Sequence, residues 1–340
     1  VSDVVCERDG AVGPVKEGEK KSGPSTSRPE PAEPERAEAL AFATAAAAAD
    51  GETSPLSSVR ELWGEIKTHA HAGLTRMARN MVLVGPCDVN DPCGLWLVQH
   101  ATKLHAISFH KMAREFFSQR VVARFSAHAI ARLAESAPIG ELIAMALWSE
   151  MVEDDDDEND DENENDADEK KNATFVDDPR VARAADAARA LLAEKAPMLR
   201  EYFGVDIDEA SGSLLGLPVL VEGFEPDLSL LPEFVFALAH EVDWTEEKAC
   251  FRTVADALAT FYAGGSLDPG EGHVTSSTRD EFVENAPAAE DDEPERVRSI
   301  RQFVFPAMRR CWHPSKVSAV QGVATQVASL EQLYRVFERC

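Results

Sequence analysis

The sequence predicts an α+β domain in which helices pack on a small mixed sheet, and three observations predict it. Leu95 to Phe109 (LWLVQHATKLHAISF) holds two short apolar runs around Thr102–Lys103, the pattern of a β-hairpin. Leu214 to Val221 (LLGLPVLV) is a strand-like run whose Pro218 points to a sheet edge or a bulge. Elsewhere, apolar side chains recur at helical spacing over several long stretches.

The helices follow in chain order. From Phe109 to Phe125, Met112, Phe116, Phe117, Val121, Val122 and Phe125 make one apolar stripe, with Arg114, Arg120 and Arg124 off it. Pro138 opens a short helix carrying Ile139, Leu142, Ile143, Met145 and Leu147. Asp178–Pro179 is a good cap and first residue for a helix reaching Leu199, which Pro197 should kink or end. Pro232 suits the first turn of a helix bearing Phe234, Val235 and Leu238. Thr245 can cap the next, whose face is Phe251, Val254, Ala255, Leu258, Phe261 and Tyr262. A further helix carries Val297, Ile300, Phe303 and Val304. A last short helix starts at Ser329, where Ser329 and Gln332 match a capping box. Leu330, Leu333, Tyr334 and Phe337 form its apolar stripe, a candidate partner-binding surface.

Three segments lack such periodicity. Residues 1–55 are rich in Pro, Glu, Ser and Ala and read as a disordered linker leading into a domain at 56–340. Residues 153–169 (EDDDDENDDENENDADE) hold 13 acids and no base, and like charges this dense keep a chain extended. Residues 264–295 mix Gly, Pro, Ser and acids; both read as disordered insertions.

The chain is acidic, with 34 Lys and Arg against 61 Asp and Glu, a net charge of −27. The acidity is local. Outside 1–55, 153–169 and 268–296, 26 bases face 27 acids. No basic nucleic-acid-binding face is evident along the sequence, and this domain alone is expected to hold DNA only weakly. No apolar run reaches the length of a membrane span, and no secretory signal is visible in the first residues.

Six scattered cysteines, without paired CxxC sets, fit a reducing compartment. Cys87 and Cys93 could be two metal ligands, but without a second pair they read as ordinary thiols. His240–Glu241 opens like a zinc-protease helix but lacks the second histidine, and Cys311-Trp312-His313 supplies two ligand types, which is not a site. His69 and His71 read as surface residues. Neither a nucleophile elbow nor a P-loop nor a dinucleotide fingerprint is present, so no self-contained enzyme is expected. Cys340 brings a thiol and an α-carboxylate to one point, two potential metal ligands.

Three stretches resemble one family. They are Arg200 to Tyr262 (REYFGVDIDEASGSLLGLPVLVEGFEPDLSLLPEFVFALAHEVDWTEEKACFRTVADALATFY), VQHATK with AESAPIGELIAMAL, and the final VFERC. Together they are similar to the C-terminal domain of Mlh-type eukaryotic MutL homologues, over about 57–340 apart from the insertions. The resemblance implies a dimerisation and scaffold subunit of a nuclear DNA mismatch-repair endonuclease. It implies a Pms-type MutL homologue as heterodimer partner, with a MutS-type mismatch-recognition complex and an exonuclease as further partners. ATP would enter only through an N-terminal domain that this chain lacks. The partner's endonuclease motif, D-Q-H-A-x-x-E, aligns here with Ser108 to Arg114, so Gln99-His100-Ala101 is a coincidental match. His110 falls at the motif's histidine and Arg114 at its glutamate, and an arginine repels a divalent cation. The resemblance also implies that Cys340 reaches in trans to the partner's zinc site. The alternative is a stand-alone metal-dependent nuclease homodimer using His110, Cys311 and His313.

Overall fold

The computed structural model describes residues 54–158, 179–265 and 293–329, and of 150–158 the backbone alone. The disorder expected at 1–55, 153–169 and 264–295 falls almost wholly outside these residues. Where the insertions meet described chain, 153–158 continue a helix and Glu295 starts one.

Two helices, α1 (Ser57–His69) and α2 (Ala72–Asn80), precede the first strands. His71 caps α2, its ring accepting from the Leu74 amide at 3.0 Å. The strands β1 (Val82–Pro86), β2 (Leu95–His100) and β3 (Lys103–Ser108) form an antiparallel meander. The expected hairpin is present, turned by Ala101 at φ 54°. Helix α3 (Phe109–Ala123) follows directly, then β4 (Ile130–Pro138) and α4 (Ile139–Glu158). Helix α5 (Pro179–Met198) passes into a π turn, Leu199–Phe203, followed by β5 (Asp206–Asp208) and β6 (Ser213–Pro218). The chain closes with α6 (Leu231–His240), α7 (Glu247–Ala263), α8 (Glu295–Ser299), α9 (Phe305–Cys311), α10 (Lys316–Val320) and β7 (Ala324–Ser329).

The α+β class stands, but the single mixed sheet does not. Two antiparallel sheets replace it, ordered β1-β2-β3-β7 and β4-β6-β5. β7 was not expected, and Ser329 ends this strand, paired with Lys103, where the sequence suggested a helix cap. β4 was missed because IARLAESAP is polar and small; it is bulged between Arg132 and Ala137 and largely exposed. Pro218 lies in a central strand rather than an edge, as its last residue, and β6 pairs with both neighbours across register shifts, as the bulge reading allowed. Pro197 does not break its helix outright. Lacking an N–H, it removes one helical bond, and the winding loosens into the π turn that follows. That turn ends at Gly204 (φ 71°), where a Cβ would lie 2.8 Å from the Cβ of His128. Thr245 does not cap α7; its amide and hydroxyl both bond Asp243 Oδ1.

The core is built on α3 packed along α7. α3 buries Phe109, Met112, Phe116, Phe117 and Val121, as its stripe predicts. α7 opposes them with Phe251, Val254, Leu258, Phe261 and Tyr262, and its buried Ala255 and Ala259 are small enough to let the helices approach. Phe125, Tyr202, Phe203 and Phe251 form one ring cluster, with centroids 4.7–5.9 Å apart. Tyr262 donates its hydroxyl to the Pro218 carbonyl, tying α7 to β6, and burial pushes its pKa far up.

Three histidines, His110 buried and His105 and His128 half-buried, make the fold acid-sensitive. Burial lowers the pKa of His105, His110 and His128, and that of His128 falls to about 3. His128 Nε2 faces the Val121 carbonyl at 3.2 Å, while Nδ1 is buried with no partner among the described residues. The unfolded chain titrates these rings near 6.5, so below that pH it takes up protons that the folded chain refuses. Stability is therefore full above pH 7 and falls as pH drops through 6.5 toward the folded value. In urea unfolding between pH 7 and 5, His128→Gln is expected to flatten the decline by up to about 1.4 kcal/mol per pH unit. An unchanged slope would count against this origin.

Candidate dimerisation surface

The register of the four-stranded sheet sorts its side chains into two faces. Trp96 and Val98 of β2 and Ile107 of β3 point into the core. Their alternates form the outer face, in two rows across the strands. One row runs Val82, Gln99, Leu104, Ala328; the other runs Gly85, Leu97, Ala106, Thr325, with Leu95 opposite Ser108 beyond it. Val82 is 60% exposed, Leu95 53% and Val327 54%, and Val84, at the bulge of β1, is 51% exposed. The four strands contain no Asp or Glu, and Lys103 is their one Lys or Arg. A contiguous apolar face of this kind is uncommon on a monomer and marks an interaction surface.

β7 is placed in that sheet by α3. Glu115 accepts from Trp312 Nε1 at 3.0 Å, the Ser315 amide at 2.8 Å and Ser318 Oγ at 2.9 Å. One turn on, Gln119 pairs with the backbone of His313 through both its amide groups, at 2.8 and 2.9 Å. These bonds hold 312–318 against α3, and β7 then pairs with β3. Leu330, Leu333, Tyr334, Phe337 and Cys340 come next in the chain and lie outside the described residues.

The other candidates are dispersed. His110 is buried in the first turn of α3; burial and the neighbouring Arg114 keep its ring neutral, and the Ala263 carbonyl bonds it. His313 lies edge-on to Trp63, 5.7 Å between ring centres. Among the described residues no three His, Cys, Asp or Glu side chains are grouped to hold a metal ion, so His110, Cys311 and His313 do not form the site the nuclease alternative needs. Cys87, Cys93, Cys250 and Cys311 are free thiols. Burial raises the pKa of Cys93, against the pull of Arg296. His69 lies at the end of α1, and His240 stacks on Phe236 at 4.3 Å. No described helix is long and apolar enough to cross a membrane.

Sequence reasoning missed a cleft of about 440 Å³ between α1, α3, α7 and the 313–321 segment. Ser118 donates to Asp256 at 3.0 Å across 138 residues of sequence. Burial raises the Asp256 pKa, opposed by Ser118 and Arg114. The only sign in the sequence is that Arg114 and Ser118 leave the α3 stripe together.

Fold and surface define an α+β domain with an apolar sheet face suited to a protein partner. The family model described as the DNA mismatch repair protein Mlh1 C-terminus matches residues 55–340, and the chain belongs to that family. It is 28% identical over 297 residues to the DNA mismatch repair protein Mlh1 of Dictyostelium discoideum, covering 84% of this chain and 30% of that protein. It is 25% identical over 296 residues to the DNA mismatch repair protein MLH1 of Saccharomyces cerevisiae, covering 84% and 34%. The chain thus spans about a third of the length of these relatives.

Glu115→Ala should leave three donors without their acceptor, at a cost of about 2–3 kcal/mol. Hydrogen exchange should then rise first in 312–329, with Glu115→Gln milder. Uniform loss of protection across the core would contradict a local clamp.

Proposed function

We propose that this chain is the dimerisation and scaffold region of a mismatch-repair MutL endonuclease, pairing with a Pms-type MutL homologue in the nucleus. The observation that carries this is the acid-free apolar outer face of the four-stranded sheet. Covering a face that exposes Val82, Val84, Leu95 and Val327 yields about 25 cal/mol per Å² of apolar area removed from water. β7 leads straight from this sheet into the 330–340 segment, so Leu333, Tyr334 and Phe337 are suited to extend the same contact. A MutS-type recognition complex and an exonuclease are its further partners in this reading, and ATP enters only through the N-terminal domain of the longer proteins.

The chain's role toward the endonuclease is supportive. Arg114 stands where the partner's motif carries its second acid, and it adds positive charge beside His110. Cys340 is the residue we assign to the partner's zinc, in trans. A single thiolate is too small a donor set to retain zinc alone, so it suits completion of a site built mainly by the partner.

Co-expression with a Pms-type homologue tests the pairing. Leu95→Asp with Val327→Asp should leave a folded single chain and abolish the heterodimer in size-exclusion chromatography with light scattering. Intact heterodimer from that variant would refute the sheet interface.

Deleting Cys340 in the reconstituted heterodimer should preserve assembly while lowering zinc content and DNA nicking at limiting metal. Full zinc and full nicking would remove Cys340 from the site.

A further inference from the structure

Residues 66–87 and 296–330 contain no Asp or Glu, in a chain with 61 of them, yet they carry nine Lys and Arg. The fold brings these two runs together. His71 donates its amide to the Pro314 carbonyl at 2.7 Å, and Ala70 bridges Ser315. Helix α9 packs on α2, and Arg309 donates to the Arg79 carbonyl through Nε and Nη2, 3.3 and 3.1 Å, across 230 residues of sequence. Lys316 Nζ reaches the Thr68 carbonyl at 3.3 Å.

Arg76 and Arg79 are three apart on α2 and share its exposed face, while Met77 and Ala78 turn inward. Arg309 and Arg310 are exposed beside them, with Met308 buried. Among the described residues none of these four arginines, nor Lys316, enters an ion pair. This differs from Arg252 and Lys248, whose charges are answered by Glu65 and Glu61. Arg309 has a structural use at the C-terminal end of α2, where a cation and a donor are both favourable. Arg76, Arg79 and Arg310 have no such use, and among the described residues no acid pairs with any of them.

From this juxtaposition we infer that the face formed by α2, α9 and Lys316 binds the phosphate backbone of duplex DNA, independent of sequence. Four arginines on two adjoining helices, with Lys316 at the start of α10, suit phosphates, which are recognised by charge and by guanidinium hydrogen bonds. The inference rests on the mismatch-repair reading for its choice of DNA over an acidic protein. It revises the expectation of a domain without a basic face: the two runs are dilute along the sequence and become dense only when folded.

The test uses the 340-residue chain and a fluorescein-labelled duplex of about 30 base pairs, titrated at several salt concentrations. Arg76→Glu with Arg310→Glu changes two side chains that make no hydrogen bond or ion pair among the described residues. Binding should weaken by about tenfold or more, and the slope of log affinity on log salt should fall by about 2. Arg183→Glu with Lys195→Glu, the same charge change on α5, should bind as the unaltered chain does. No binding by the unaltered chain, or equal loss in both double variants, overturns the inference. So does a peptide of residues 153–169 binding this face when DNA does not, which would assign it to an acidic protein segment. Heterodimer formation with the Pms-type homologue is measured on the same variants and should be unaffected. Failed DNA binding therefore leaves the pairing standing, and failed pairing leaves the DNA result readable on the single chain.

Discussion

The packing of α3 along α7 is the constraint on which the rest of this structure depends. Each large side chain buried in that seam contributes roughly 1.5–3 kcal/mol of transfer free energy, and the seam collects rings from both helices. Its ends fix other elements. Tyr262, near the C-terminus of α7, holds the Pro218 carbonyl and with it the second sheet. Phe125, just past α3, stacks on Tyr202 and meets Phe251, so the π turn after α5 docks on the same axis.

The polar side of α3 organises the molecule as much as its apolar side. Glu115 and Gln119 are one turn apart, and together they satisfy five groups of the 312–318 segment. A loop held so tightly is unusual, because loops normally leave backbone groups to water. The consequence is that β7 completes the four-stranded sheet. The same segment brings Lys316 against α1, and α9 just before it sets Arg309 against α2. One helix face thereby positions both the apolar sheet surface and the basic one.

The two surfaces differ in chemistry as their proposed occupants do. The sheet face is apolar and nearly uncharged, suited to a protein partner and costly to expose. The α2–α9 face is cationic and hydrated, suited to a polyanion and stable without one. A domain of nearly balanced charge can carry both because its excess acid is concentrated in 1–55, 153–169 and 268–296.

The sequence by itself determined the class of the fold, the β2–β3 hairpin, the α3 and α7 stripes and the family. These are local or periodic properties: a stripe at helical spacing reports burial whatever it packs against. It did not show β4 or β7, whose residues IARLAESAP and ATQVAS are small and polar and become strands only by pairing with β6 and β3. It also read Pro218 as an edge or a bulge, since a proline alone cannot report which end of a central strand it occupies. The surfaces were decided by tertiary structure alone. Val82, Leu104 and Ala328 share a face through strand register, and Arg79 meets Arg309 through helix packing across 230 residues. Such neighbours leave no period in a linear chain, because only the closing of the fold makes them adjacent.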